Sequence, residues 1–139
     1  MGIPGQYFTP PEAARIMANL PKIPSDVTEL NILDPGAGRG ILAYELVKRL
    51  IDEVPGAKLS VTLIENDSKL NDDLEEMKFR LESLGVKVAV IIEDFVDWAI
   101  WTNEAFDLII LNPPYYKLAV RSPAYKQLKK FGILVPNIY

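Results

Sequence analysis

Helical and extended patterns alternate along this chain, and that alternation constrains its fold more than any other feature. Amphipathic stretches with apolar residues at helical spacing separate short apolar runs, and the runs end in polar or glycine-rich turns. The apolar runs cover 30–34, 58–65, 86–92 and 106–111. Strands separated by helices of this length form parallel sheets with right-handed crossovers. The sequence therefore predicts an α/β fold with one parallel sheet and flanking helices.

Helical periodicity places the helices between these strands. Residues 9–20 predict an N-terminal helix, because Thr9 and Glu12 have the spacing of a capping box and prolines occupy the first turn. The other helical patterns cover 43–54, 70–84 and 94–101.

Composition limits the chemistry open to the chain. Its 139 residues suggest one domain, and 49% hydrophobic residues are enough to build a core. Without cysteine or histidine, disulfides, thiolate chemistry, histidine-based acid–base catalysis and the usual zinc sites are excluded, and we predict no metal site. No apolar run approaches the ~18 residues of a spanning helix, and the start lacks a signal-peptide pattern. We therefore expect a cytoplasmic protein without membrane contact.

Charge is distributed unevenly within the net charge of -4. Residues 116–139 form a basic C-terminal segment with five basic side chains and no acidic one, whereas the remaining residues carry ten basic and 19 acidic side chains. Such a segment, through its 117–130 part, could meet the phosphates of a nucleic acid. The alternative is an ordinary solvated helix face.

The first strand leads into a glycine-rich turn, Asp34-Pro35-Gly36-Ala37-Gly38-Arg39-Gly40. Glycines let the backbone approach a ligand closely, and the helix that follows offers unpaired N–H groups. Ile41 stands where the dinucleotide fingerprint requires glycine, and the Asp34 carboxylate would repel a pyrophosphate. The turn therefore suits an amine-bearing ligand better than a dinucleotide, and the alternative is a purely structural turn.

The second and third strands end in carboxylates. Glu65, which precedes Asn66, can accept hydrogen bonds from both hydroxyls of a ribose. Asp94 could accept from an adenine amino group, and Phe95 could cover the ring face. The alternatives are an ordinary helix N-cap within residues 65–68 and core packing for the phenylalanine.

The fourth strand ends in Asn112-Pro113-Pro114-Tyr115. Two prolines fix φ and remove two backbone donors, so carbonyl oxygens here can face a ligand. The Asn112 side-chain oxygen and the Pro113 carbonyl can accept both hydrogens of an exocyclic amine, and Tyr115 can stack on a planar base. A strand-ending turn is the alternative. Because carboxyl ends of parallel strands share one edge, we expect all four strand ends to meet in one crevice.

Three motifs in this order resemble the class I S-adenosylmethionine-dependent methyltransferases. They are Gly5-Gln6-Tyr7-Phe8-Thr9-Pro10, the glycine-rich turn and Asn112-Pro113-Pro114-Tyr115. The chain is most similar to the adenine-N6 DNA methyltransferases of restriction–modification systems with gamma-type motif order, although many members have alanine where Gly36 stands. The resemblance implies a Rossmann-like sheet of order 3-2-1-4, with residues 1–139 as the N-terminal, cofactor-binding part of a longer catalytic domain. It also implies an uncovered edge at 106–111, through which we expect a homodimer or another assembly.

The resemblance assigns roles to individual residues. The implied cofactor-binding residues are Tyr7, Thr9, Pro10, Asp34, Gly36, Ala37, Gly38, Glu65, Asn66, Asp94, Phe95 and Asn112. The implied catalytic residues are Asn112, Pro113, Pro114 and Tyr115. Asp34 would face the amino group of S-adenosylmethionine, Glu65 its ribose and Asp94 its adenine.

The implied activity is methyl transfer from S-adenosylmethionine to the N6 amine of adenine in DNA. DNA would be the partner, held mainly by a target-recognition part beyond this chain, and weak or no activity is expected of the chain alone. The alternatives are a methyltransferase for a protein glutamine amide or for guanine N2 of RNA, and a non-catalytic nucleotide-binding or assembly module.

Overall fold

The structure, a computed structural model, describes residues 8–113 together with Lys126, Lys129 and Lys130. Its helices are α1 (Pro11–Ala18), α2 (Ile41–Glu53), α3 (Asn71–Glu82) and α4 (Phe95–Trp101), with a 3₁₀ turn (Ser68–Leu70) before α3. Its strands are β1 (Glu29–Pro35), β2 (Lys58–Glu65), β3 (Lys87–Ile92) and β4 (Leu108–Ile109). In the basic C-terminal segment, the three described lysines are helical and exposed.

The strands form one sheet in the order β3-β2-β1-β4, and every neighbouring pair is parallel. This confirms the predicted α/β class and the predicted strand order. Pro35 pairs with Ile64, and Glu65 pairs with Ile92, so the last residues of three strands lie side by side. The carboxyl ends of all the strands therefore point to one edge of the sheet.

The core fills the space between one face of the sheet and the first three helices. Every second residue of β1 and β2 faces this core, as the pleat of a strand requires, and Leu46 and Leu50 of α2 are fully buried against it. The core residues on the sheet are Leu30, Ile32, Leu59, Val61, Leu63, Val88 and Ile110. Each such leucine or isoleucine contributes about 1.5–3 kcal/mol relative to an exposed position.

The N-terminal helix is shorter than predicted, and the prediction of a capping box is wrong. The helix covers Pro11–Ala18 rather than 9–20, its N-cap is Pro10, and no side chain caps it. The Thr9 hydroxyl instead accepts a hydrogen bond from the Asn112 amide. A partner distant in sequence thus replaces the predicted backbone partner in the first turn of the helix. At the other end, Arg49 of α2 donates to the Ala18 carbonyl at 2.6 Å, and it thereby fixes the helix terminus.

The fourth strand is also shorter than the predicted 106–111. Only Leu108–Ile109 has strand geometry, although the Ile110 N–H still donates to the Leu33 carbonyl at 3.0 Å. β4 forms the sheet edge among the described strands, with Ile109 54% exposed. Unlike β1, it pairs on one side only within this sheet, and only two of its residues are paired.

The helix α4 between β3 and β4 buries none of its residues. Phe95 and Trp98 are therefore not core residues; their rings lie 6.2 Å apart, and Trp98 lies 6.0 Å from Phe106. Trp101 is 81% exposed. Among the described residues, no helix combines the length and the apolar character that crossing a bilayer demands.

Candidate active site

Glycines in the left-handed region build the turn between β1 and α2. Gly36, Gly38 and Gly40 have φ of 82°, 57° and 72°, values that other residues rarely adopt. The N–H groups of Gly36 and Ala37 both donate to the Ile64 carbonyl at 2.8 Å, so the turn crosses the end of β2. The turn thus presents backbone rather than side chains at the carboxyl edge of the sheet.

Asp34 lies at the end of β1 and is 1% exposed. Its Oδ2 has no hydrogen-bond partner among the described residues, while the Ala43 N–H in the first turn of α2 hydrogen bonds to the carboxylate. Burial raises the pKa of Asp34 to about 7; the Ala43 N–H opposes this shift, and the charge of Glu65 adds to it. A buried acceptor without a donor is costly, so this position fits a ligand that brings a cationic donor.

Glu65 joins the end of β2 to the glycine turn. Its Oε2 accepts from the Gly38 N–H at 2.8 Å, and its Oε1 accepts from the N–H groups of Asn66 and Asp67 at 2.9 and 3.0 Å. A carboxylate has about four acceptor positions. Two ribose hydroxyls can therefore bind only if the Gly38 bond is shared or displaced. The predicted helix N-cap also exists nearby, since Asp67 accepts from the Lys69 N–H.

Asp94 and Phe95 follow β3 at the same edge. The Asp94 Oδ1 accepts from the N–H groups of Val96 and Asp97 at 2.8 and 3.2 Å, which makes Asp94 the N-cap of α4. Phe95 remains 36% exposed. The third strand end thus combines a fixed carboxylate with an accessible ring.

Thr9 and Asn112 bring the first and last motifs together. The Asn112 Nδ2 donates to the Thr9 Oγ1 at 3.1 Å, across 103 residues of sequence. Because the amide nitrogen is held by the hydroxyl, the amide plane has a fixed orientation, and Oδ1 is its acceptor end. Pro10 and Pro113 are described beside this pair, whereas Tyr7, Pro114 and Tyr115 lie outside the described residues.

Sequence reasoning gave no role to Arg39. Its guanidinium lies 4.7 Å from the centroid of the Phe8 ring, and its Nε lies 3.3 Å from the Asp73 Oδ2. The same ring lies 3.6 Å from the position that a Cβ would take at Gly38. A charged residue inside a glycine turn was the available signal, but its partners stand far from it in sequence.

Together these strand ends fit the predicted cofactor at one edge. The turn offers close approach to backbone, and the buried Asp34 oxygen lacks a donor that the amino group of S-adenosylmethionine would provide. Within the described part of the chain, no cluster of carboxylates could hold a metal ion.

Comparisons with known proteins agree with this geometry. The profile of the methyltransferase small domain matches residues 13–128. The type II methyltransferase M.BsuBI of Bacillus subtilis is 33% identical over 97% of this chain and 29% of its own length. The tRNA1(Val) (adenine(37)-N6)-methyltransferase of Salmonella arizonae is 36% identical over 64% of this chain and 34% of its own length. The chain thus spans about a third of the length of these relatives.

A solved structure shows the same fold. A class I S-adenosylmethionine-dependent methyltransferase of Listeria monocytogenes superposes with a TM-score of 0.69 over 94% of this chain and 38% of its own, at 20% identity. The family and the fold imply S-adenosylmethionine as the cofactor. This chain belongs to the methyltransferase small-domain family, within the class I S-adenosylmethionine-dependent methyltransferases.

Proposed function

We propose that residues 1–139 are the N-terminal, cofactor-binding part of a catalytic domain that methylates the N6 amine of adenine in DNA. The observation that carries this proposal is the Asn112 amide, which Thr9 holds at the strand edge that also contains Asp34 and Glu65. An amide acceptor beside an amine-binding carboxylate suits methylation of a planar amine. The alignment with a type II methyltransferase over 97% of the chain favours DNA.

Four strand ends would hold S-adenosylmethionine, which supplies an activated methyl group when bound. Asp34 would accept from its amino group through the unpartnered Oδ2, and the backbone of the glycine turn would lie beneath it. Glu65 would bind the ribose, with Asn66 beside it. Asp94 and Phe95 would contact the adenine end, and Thr9, with Tyr7 and Pro10, the methionine end.

Asn112 would prepare the target nitrogen. The Asn112 Oδ1 and the Pro113 carbonyl would each accept one hydrogen of the N6 amine, which draws its lone pair out of the ring and directs it at the methyl group. The Thr9 hydroxyl holds the amide nitrogen at 3.1 Å, so the acceptor is positioned before the base arrives. Tyr115 and Pro114 would complete this motif by stacking on the base.

The adenine must leave the duplex to reach this edge, which costs a few kcal/mol. We propose that parts of the longer protein outside this chain supply most DNA contacts, with help from the basic segment 117–130. The β4 edge, with Ile109 exposed, would support a homodimer or another assembly of this chain. Sedimentation at increasing concentration tests the assembly, and monomers throughout would contradict it.

A tRNA adenine is the second candidate acceptor, because a tRNA adenine-N6 methyltransferase is 36% identical over 64% of the chain. A protein glutamine amide and guanine N2 of RNA offer similar nitrogens. The deciding assay supplies labelled S-adenosylmethionine with duplex DNA, tRNA or protein to the longer protein that carries this chain, because weak or no activity is expected of the chain alone. We expect N6-methyladenine in DNA; label found only in tRNA or protein would replace this proposal.

Cofactor binding is tested separately by calorimetry with S-adenosylhomocysteine and with NAD. We expect S-adenosylhomocysteine to bind and NAD to give no heat. A chain that binds NAD instead, or that binds neither compound, would contradict the proposed cofactor site.

A further inference from the structure

We propose that Arg39 is a positioning residue of the cofactor crevice, which holds Phe8 against the glycine turn and thereby fixes Thr9 where its hydroxyl meets Asn112. This inference rests on the proposed function, because it concerns the same crevice. It assigns a role to a residue that the motif-based mechanism leaves unused.

Arg39 contacts two elements from the middle of the turn. Its flanking residues Gly38 and Gly40 both have positive φ, which places Arg39 in the middle of the turn. From there its guanidinium reaches the Phe8 ring at 4.7 Å, while its Nε pairs with the Asp73 Oδ2 of α3 at 3.3 Å. The ion pair fixes the guanidinium, and the guanidinium provides the surface on which the ring rests.

Phe8 completes the connection from the turn to the catalytic motif. Its ring lies against Gly38, because an added Cβ at this position would lie 3.6 Å from it, which is an ordinary van der Waals distance. The next residue, Thr9, accepts the hydrogen bond from Asn112. Pro10 and Pro11 follow with fixed φ, so the segment has little freedom to adjust. Loss of the Phe8 anchor therefore removes the contact that holds this segment against the glycine turn.

The solvent exposure of Arg39 and Asp73 argues against a purely stabilising role for their ion pair. Arg39 and Asp73 have side chains 56% and 45% exposed, and surface ion pairs of this kind add little to folding. A purely structural Arg39 would change only the melting temperature when replaced. A positioning Arg39 would change the affinity for the cofactor product as well.

The test compares Arg39→Met with a matched control, Arg80→Met. The Arg80 guanidinium lies 4.4 Å from the centroid of the Tyr44 ring, which is the same kind of contact between α3 and α2. Calorimetry measures the Kd for S-adenosylhomocysteine, and thermal unfolding measures Tm, on the whole chain. We expect Arg39→Met to weaken binding about two- to fivefold, the range of an exposed cation–π contact. Arg80→Met should lower Tm to a similar extent and leave Kd unchanged.

A second readout follows the position of Phe8 directly. Ring currents from Phe8 should shift the NMR resonances of Gly38 in the wild-type chain, and that shift should shrink in both Arg39→Met and Phe8→Leu. The double variant should lose no more affinity than either single variant, because both remove one shared contact.

The possible outcomes separate this inference from the proposed function. If the wild-type chain binds S-adenosylhomocysteine and Arg39→Met binds it equally well or more tightly, the positioning role is wrong and the proposed function stands. Unchanged Gly38 resonances in Arg39→Met would overturn it in the same way. If the wild-type chain does not bind S-adenosylhomocysteine, the proposed function fails, and the inference fails with it.

Discussion

β1 and β4 are neighbours in the sheet, yet they place their functional residues by different means. β1 pairs along its whole length with β2, and its end is buried, so Asp34 and the glycine turn are held by core packing and backbone hydrogen bonds. β4 has two paired residues, and the α4 helix before it buries none of its own. Asn112 follows this edge strand, and its side-chain amide donates a hydrogen bond to the Thr9 hydroxyl.

This difference separates the proposed cofactor side from the proposed catalytic motif. The proposed cofactor side depends on the core, so it should tolerate changes at the edge strand. The proposed catalytic motif depends on a contact between distant segments, so small changes there should alter turnover without altering the fold.

The largest effect is expected for Asn112→Ala. Removal of one positioned hydrogen-bonding group typically lowers turnover by about 10²–10³-fold. The Kd for S-adenosylhomocysteine should change far less than turnover, because Asp34 and Glu65 stay in place. The measurement is single-turnover methyl transfer to duplex DNA by the longer protein that carries this chain, with the exposed Asn103→Ala as control. Equal rates for the two variants would remove Asn112 from the proposed mechanism.

A substitution in the core next to β1 should lower the free energy of unfolding more than a substitution on β4. Leu46 is 0% exposed in α2, so Leu46→Ala should lower the free energy of unfolding by about 2–5 kcal/mol. Ile109 is half exposed on β4, and Ile109→Ala should cost less than about 0.5 kcal/mol. Urea unfolding measures both. A larger loss for Ile109→Ala would show that the edge strand is as well packed as the core.

Gly40 in the glycine turn can be compared with a glycine in the turn between α2 and β2. Gly40 and Gly56 have φ of 72° and 89°, but a Cβ at Gly40 would lie 2.7 Å from the Met77 Cγ, whereas at Gly56 nothing lies within 4 Å. Gly56→Ala should cost about 1–2 kcal/mol from backbone strain alone. Gly40→Ala adds about 1–3 kcal/mol of overpacking. Equal costs in urea unfolding would mean that α3 moves aside freely.

The sheet could be predicted from the sequence because the alternation of buried and exposed side chains in a strand is visible in neighbouring residues. The strand 58–65 matches β2 to the residue, since every second side chain there must face the core. Thr9 was misread as a helix cap because its actual partner, Asn112, lies 103 residues away. Arg39 escaped notice for the same reason, as no spacing rule connects it to Phe8. Local rules thus give the sheet and the residue types at its edge, whereas contacts between distant segments require the fold.

A pH dependence of the free energy of unfolding is expected from Asp34. Burial raises the pKa of Asp34 to about 7, so the folded chain keeps a proton that the unfolded chain has released above pH ~4. Stability that this group contributes is therefore complete below pH ~4 and is lost as pH rises toward 7, by at most about 1.4 kcal/mol per pH unit. Asp34→Asn should remove that slope, measured as the difference between two series of urea unfolding curves.

The same pH series of urea unfolding curves, repeated with bound S-adenosylhomocysteine, tests whether Asp34 contacts the ligand. The Ala43 N–H lowers the pKa of Asp34 and the charge of Glu65 raises it. The Asp34 Oδ2 has no hydrogen-bond donor among the described residues. The ammonium group of saturating S-adenosylhomocysteine would supply that donor and favour the ionised carboxylate, so the wild-type slope should flatten toward that of Asp34→Asn. A wild-type slope that persists with ligand bound would mean that the amino group binds elsewhere, and the cofactor side would then depend on the glycine turn and Glu65 without Asp34.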